Sequence, residues 1–270
     1  MRAVVQVLPV PTALEGAVWH HHPASLNSIP PHRHEELELN LSVRGRATYL
    51  LEDRRYELSR GSLVWLFPGQ NHVLLEQSND YEMWIVVFRP KLVRATSANE
   101  TCQVLKQPKP KGNFCKVLGE APAARLASLA AELRDAMDDP PRFNTGLAYL
   151  MLCAWAELRQ SGGILLGMEV HPAVKRAAAA LREDPTLDVG AVARRAGLSA
   201  SRLGFLFQKQ TGLSLVAFRH RQGLERFRVC YGDGKRRTLL EAALEAGFGS
   251  YAQFYRIHRR LTGRSPSKGN

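Results

Sequence analysis

The residues best equipped for chemistry in this sequence are His32, His34, Glu38 and His72. Three imidazoles and a carboxylate make a donor set suited to a divalent metal such as Zn, Fe, Mn or Ni. Alternate residues of an extended chain share a face, so His32, His34 and Glu38 can point into one cavity, with His72 entering from a facing strand. Two readings compete with a bound metal: a metal-free pocket for a small molecule, and solvated strand ends. The run His20-His21-His22 adds imidazoles near the same strands and reads mainly as surface.

A second constellation lies near the C-terminus and is written twice. Val192-Ala193-Arg194-Arg195-Ala196-Gly197-Leu198-Ser199 leads into a periodic stretch with Leu203, Leu206 and Phe207. Ala242-Ala243-Leu244-Glu245-Ala246-Gly247-Phe248-Gly249-Ser250 leads into Phe254, Ile257 and Leu261. Ala193 and Ala243 permit two helices to approach closely, and Gly197 and Gly247 suit the positive φ of the turn between them. Ser199 and Ser250 are placed to cap the next helix, whose apolar stripe turns the intervening residues outward. A helix presented in that way fits a DNA major groove. One copy would be ordinary helix packing, but two copies offset by 50 positions at Ala193/Ala243 and Gly197/Gly247 form a repeat.

Charge is partitioned in the same way. From His171 onward there are 19 Lys and Arg against 7 Asp and Glu, which accounts for the whole net charge of +12 and leaves residues 1–170 neutral. Such a segment attracts a polyanion through phosphate contacts. The basic residues are not gathered on one amphipathic helix, so a membrane surface is not the expected partner.

The elements that must position these groups follow from periodicity. Residues 17 to about 89 read as short strands: Leu37, Leu39, Leu41 and Val43 alternate with Glu38, Asn40 and Ser42, and Pro68-Gly69 separates Leu63–Phe67 from His72. Many short strands broken by turn residues predict a barrel or jelly roll. Leu126, Leu129, Leu133 and Met137, then Leu147, Leu150, Met151, Ala154, Trp155 and Leu158, recur at helical spacing. These helices serve either to pack on the barrel or to pair with a second subunit. Ser161-Gly162-Gly163 opens a linker, and Ser214 to about Tyr231 reads as a helix between the two repeats. The expected plan is an α+β chain with a barrel over residues 1–119, a helical packing or dimerisation region over 120–160, a linker over 161–170 and an all-α domain over 171–270. Cys102, Cys115, Cys153 and Cys230 show neither CxxC pairing nor disulfide-framework spacing and fit reduced thiols, with a Cys102–Cys115 redox pair the minor alternative. Prolines interrupt the apolar stretch Val4–Leu14 and no long apolar run occurs, so a cytoplasmic protein is expected.

At Ala243 through Gly263, with Gly247-Phe248, Ser250, Phe254 and Arg256, the sequence resembles the DNA-binding domain of the AraC/XylS family of bacterial transcription regulators. The resemblance spans about residues 171 to 268. By position it implies that Ser201, Arg202, Gly204 and Phe205 face DNA from the first recognition helix. Tyr251, Ala252, Gln253, Tyr255 and Arg256 do so from the second. Arg256 and Gln253 are the leading base readers, and Arg194, Arg195, Lys209 and Arg259 are candidates for phosphate. Phe205 stands where the family usually has Arg, which suits thymine methyl contact better than guanine reading. His258 replaces a usual Phe and is expected as a satisfied core residue.

His32-x-His34, Glu38, Gly45, Gly61 and Pro68-Gly69-x-x-His72 similarly resemble the two motifs of the cupin superfamily, except that Leu26 replaces a usual Gly and Phe67 a usual Pro. Together the resemblances imply a homodimeric, cytoplasmic, nucleoid-associated bacterial regulator and not an enzyme. Its cupin-like barrel would sense a small molecule or metal and control DNA binding or promoter activation, with RNA polymerase as a possible contact. Two other expectations stand beside it: a metal-dependent cupin enzyme, an isomerase or dioxygenase, with a DNA-binding appendage, and an architectural protein whose barrel only dimerises.

Overall fold

The computed structural model describes residues 7–22, 32–232, 237–262 and 264–266. Leu26 and Gly263, which carry two of the motif comparisons above, lie outside the described residues. Seven strands come first: β1 (Gly16–His21), β2 (Leu37–Arg44), β3 (Arg46–Leu51), β4 (Arg54–Ser59), β5 (Ser62–Leu66), β6 (His72–Gln77) and β7 (Glu82–Phe88). Helix α1 (Pro90–Thr96), a 3-10 turn over Glu100–Lys106 and β8 (Cys115–Val117) lead to α2 (Glu120–Asp135) and α3 (Pro140–Gln160). Two-residue strands β9 (Gly163–Ile164) and β10 (Met168–Glu169) precede α4 (Pro172–Glu183), α5 (Val189–Ala196), α6 (Ala200–Thr211), α7 (Leu215–Gly232), α8 (Leu239–Glu245) and α9 (Tyr251–Thr262).

The strands form a six-stranded sheet ordered β1-β7-β2-β5-β8-β9 and a four-stranded sheet ordered β10-β4-β3-β6. The described pairings within them are antiparallel. Tyr49, Tyr56, Leu58, Val64, Leu66, Tyr81, Met83, Ile85 and Cys115 fill the space between the sheets. The outer face of the larger sheet, with Leu39, Leu41, Leu63, Trp65, Val86 and Phe88, packs with α2 and α3 through Leu126, Leu133, Leu147, Leu150 and Trp155. Both faces of β2 are therefore buried, and its alternation has the sense that the donor set requires. The leucines face the helices, while Glu38, Asn40 and Ser42 lie on the opposite, barrel-interior face.

The four-stranded sheet is covered in its turn. Leu50 of β3 and Val73 and Leu75 of β6 share one apolar cluster with Val170, Val174, Ala177, Leu181, Phe207 and Phe218. The core of the first helix-turn-helix unit is thus continuous with the outer face of the barrel. The second unit has its own core of Leu224, Phe227, Ala243, Phe248, Phe254 and Ile257. Within the segment read as a linker, β9 pairs with β8 and β10 with β4, so this stretch is stitched to the edges of both sheets. The Cys102 and Cys115 thiols are free and lie in different clusters. Among the described residues no helix is long and apolar enough to cross a membrane.

Candidate metal centre and nucleic-acid interface

The four sequence-selected donors converge. His32 and His72 form an isolated antiparallel bridge, with each backbone N–H donating to the other's carbonyl at 3.2 and 3.0 Å. That bridge sets their rings 4.2 Å apart, and the His34 ring lies 5.1 Å from His72. Glu38 enters from β2. One donor atom from each of the four residues lies within 4.8 Å of the others. His34, Glu38 and His72 are all buried.

Hydrogen bonding orients the rings. The Nδ1–H groups of His34 and His72 donate to the carbonyls of Glu36 and Gln70, at 3.1 and 3.0 Å. Backbone anchoring of that kind fixes the ring orientation of metal-ligating histidines and leaves Nε2 for the metal. The Nε2 of His72 is buried with no hydrogen-bond partner among the described residues, and it lies 4.0 Å from the Glu38 carboxylate. His34 Nε2 is 2.9 Å from the same carboxylate oxygen. In this state His34 donates from both nitrogens and carries a proton where a cation would otherwise face Glu38. Burial pushes the His34 pKa down, but its hydrogen bond to Glu38 and the nearby carboxylates more than reverse this. Burial pushes the Glu38 carboxyl up, yet the His34 hydrogen bond and surrounding imidazoles hold it below its ordinary value. His72 is driven down to about 3, first by burial, and stays neutral with a free lone pair. The donor set therefore fits a borderline divalent ion: a neutral His72 with an orphaned inward nitrogen, an ionised carboxylate, and a His34 whose Nε2 proton a cation would displace.

Sequence reading did not single out the polar residues around this site. Tyr49 stacks nearly parallel to His72, and its hydroxyl accepts from Asn40 at 3.2 Å. Ser42 bonds the Tyr81 hydroxyl at 2.9 Å. Both Asn40 and Ser42 continue the inward alternation of Glu38, which is the signal that could have found them. Of the histidine run, His21 is buried against Gln77, His20 stacks on Trp84 and His22 is exposed.

The helical units show how their glycines and caps work. Gly197 ends α5 in the left-handed region at φ 72°, and Ser199 Oγ accepts from the Arg202 N–H at 3.3 Å to open α6. In the second unit Thr238 and Glu241 form a reciprocal capping box on α8, and Gly247 takes φ 92°. Ser250 Oγ accepts from the Gln253 N–H at 3.2 Å. Gln253 Oε1 in turn accepts from the Gly249 N–H at 2.7 Å. Gln253 is half-buried, and this second contact engages one lone pair of its carbonyl oxygen in the helix cap.

Ser201, Arg202 and Phe205 of α6 are exposed, with Gly204 partly so. On α9, Tyr251, Ala252, Arg256 and Arg259 are exposed, while Tyr255 is half-buried with its hydroxyl 3.0 Å from Ser265 Oγ. Among the described residues Arg256 is held by a 3.4 Å contact from Nε to the Ala252 carbonyl, and its side chain is exposed. Arg194 and Arg195 are exposed on α5. Lys209 has an exposed side chain, but its carbonyl accepts from Arg55 of the barrel, which places it at the domain junction. His258 is half-buried, with Nδ1 contacting the Arg264 carbonyl at 3.0 Å.

A two-sheet barrel with inward His/Glu donors, joined to two helix-turn-helix units, defines a DNA-binding regulator with a ligand-binding domain. Comparison with known proteins agrees at both ends. The model of the AraC-like ligand binding domain matches residues 18–149, and a helix-turn-helix domain model matches residues 192–269. The arabinose operon regulatory protein of Escherichia coli (strain K12) is 26% identical over 240 residues, covering 85% of this chain and 78% of its own. The protein of the same name from Salmonella typhimurium is 25% identical over 244 residues, covering 85% and 82%. Among solved structures, ToxT from Vibrio cholerae O395 aligns with TM-score 0.36 at 11% identity, over 96% of this chain and 97% of its own. The AraC-like transcriptional activator CuxR aligns with TM-score 0.33 at 16% identity, over 79% and 74%. The chain belongs to the AraC family of transcription regulators.

Proposed function

We propose that the barrel of this regulator senses a divalent transition metal held by His32, His34, Glu38 and His72, and that occupancy biases how the helix-turn-helix units are presented to DNA. The observation that carries this reading is the inward, unpartnered Nε2 of buried His72, beside three further donors whose rings or carboxylate already converge. A bound cation would supply the positive charge that a proton on His34 supplies in its absence. The donors come from separate segments, so shared ligation would tie β6 to β2 and to the chain before it.

The route to the DNA-binding units is short. His72 points into the barrel, and the next residue of β6, Val73, belongs to the outer cluster shared with α4, α6 and α7, as does Leu75. A change at His72 thus acts on the strand against which the first unit rests. Sensing fits the relatives, which are operon regulatory proteins, better than turnover by a metal enzyme does.

The finer site assignments follow from exposure. Arg256 is the leading base reader, Phe205 makes apolar contact, and Arg194, Arg195 and Arg259 meet phosphate. Tyr149 and Leu152 on the outer face of α3 are exposed at 57% and 38%, which favours a homodimer through this helix. The reading places the protein in a bacterial cytoplasm, with RNA polymerase as a contact where it activates.

Metal content is the test. The purified full chain should bind about one Zn(II) or Ni(II) per protomer by calorimetry, and His72→Ala and Glu38→Gln variants should lose it. Stoichiometric binding that survives both substitutions would place the metal elsewhere.

A further inference from the structure

A cavity lies outside the barrel, where the β3–β4 turn meets α4. Its volume is about 330 Å³, and it is walled by Leu50, Val170, Val174, Ala178 and Ala179, with Arg182 on one side. The charges at its edge are not balanced alike. Glu52 accepts hydrogen bonds from the backbone N–H and the side chain of Asn71, and Asp53 is paired with Lys175 at 2.5 Å. Arg182 has no such partner: among the described residues none of its nitrogens makes a hydrogen bond, and its Nε is buried. Its guanidinium lies over the Phe218 ring at 6.0 Å. Burial lowers its pKa, and the nearby Glu52 and Asp53 carboxylates oppose that shift without hydrogen-bonding the guanidinium.

We propose that this cavity binds a small organic carboxylate, whose head group pairs with Arg182 and whose compact apolar body rests on Leu50, Val170, Val174 and Ala178. The guanidinium supplies paired N–H donors matched to a carboxylate, and the remaining wall is mostly aliphatic. Leu50 comes from the barrel and Val174, Ala178 and Arg182 from α4, so an occupant would bridge the two domains. The site needs no metal and does not rest on the His/Glu reading.

Thermal melts of the full chain with sodium isovalerate, its uncharged amide isovaleramide, or sodium phosphate at matched ionic strength test the assignment. Isovalerate should raise the melting midpoint saturably, whereas isovaleramide and phosphate should not. Arg182→Gln should weaken the response by about tenfold or more, the loss expected for a charge-assisted hydrogen bond. Ala179→Leu, a substitution at an exposed position on the cavity wall, should also weaken it while Arg182 remains in place. An unresponsive wild type, or wild-type affinity in both Arg182→Gln and Ala179→Leu, would overturn the assignment. A phosphate response equal to that of isovalerate would also overturn it, because a bare anion site would then suffice. If Arg182→Gln fails to fold, Ala179→Leu and the amide control decide the matter.

Discussion

Replacing Val73 by Asp should uncouple the DNA-binding units from the barrel while leaving the His/Glu site intact. Val73 is 2% exposed and points outward on β6, opposite in sense to His72 before it. Leu50, Val73 and Leu75 are the barrel's buried contribution to the shared cluster. At about 1.5–3 kcal/mol for each fully buried aliphatic side chain, they supply roughly 5–9 kcal/mol of the contact, an upper bound because an unfolded chain already buries part of its apolar surface. An unpaired carboxylate among these groups costs several kcal/mol, on top of the lost valine packing. The penalty is comparable with the whole apolar contact, and separating the domains relieves it. Limited proteolysis reads the outcome directly, because residues 163–169 are protected as β9 and β10 only while they remain paired with the sheet edges. Cleavage between 161 and 170 should accelerate by about tenfold or more, metal stoichiometry should be unchanged, and the dependence of DNA affinity on metal should disappear. If the segment stays protected and metal still alters DNA binding, the β6 route is wrong.

Arg256→Ala should relax specificity at one base position by about 1–3 kcal/mol in selection from random DNA; a uniform loss across all sequences would make Arg256 a phosphate contact. Paired substitutions Tyr149→Glu and Leu152→Glu should convert a dimer to a monomer in sedimentation without lowering the melting midpoint, and an unchanged mass would remove α3 from the interface. Gly247→Ala should destabilise the second unit by about 1–3 kcal/mol. The residue sits at φ 92°, and an added Cβ would meet the Pro185 carbonyl oxygen at 3.0 Å. A melt superimposable on wild type would contradict that geometry.

Much of this architecture can be read in the sequence, and the parts that cannot have physical reasons. The period of two in β2 is visible, but which face lies inside is decided by elements distant in sequence. Helices α2 and α3 cover the outer leucines, which leaves Glu38, Asn40 and Ser42 to the interior. The four metal-donor candidates are legible because their types are unusual and their turn residues flank them, although the backbone bridge that brings His32 to His72 is a long-range pairing. The helix-turn-helix units announce themselves through Ala193, Gly197 and Ser199 and their counterparts, since close helix approach, positive φ and capping are local demands.

The pairing of the linker was not legible, because Gly163–Ile164 and Met168–Glu169 become strand only where the edges of β8 and β4 are offered to them. The engagement of Gln253 is local: Ser250 Oγ caps its N–H, and its own carbonyl oxygen reaches back to the Gly249 N–H. Arg182 gave no signal at all, because one basic residue near the end of an alanine-rich helix is ordinary until Leu50 and Phe218 are folded around it.

Metal at the His/Glu site is expected to change DNA affinity. Fluorescence anisotropy with a selected DNA fragment, at fixed salt and fixed oligomeric state, should show an affinity change of about 5–150-fold between metal-loaded and chelator-treated wild type, the range of ordinary allosteric coupling. The same comparison on His72→Ala should show none. Equal affinity in loaded and stripped wild type, or a metal effect that persists in His72→Ala, would show that this site does not control DNA binding.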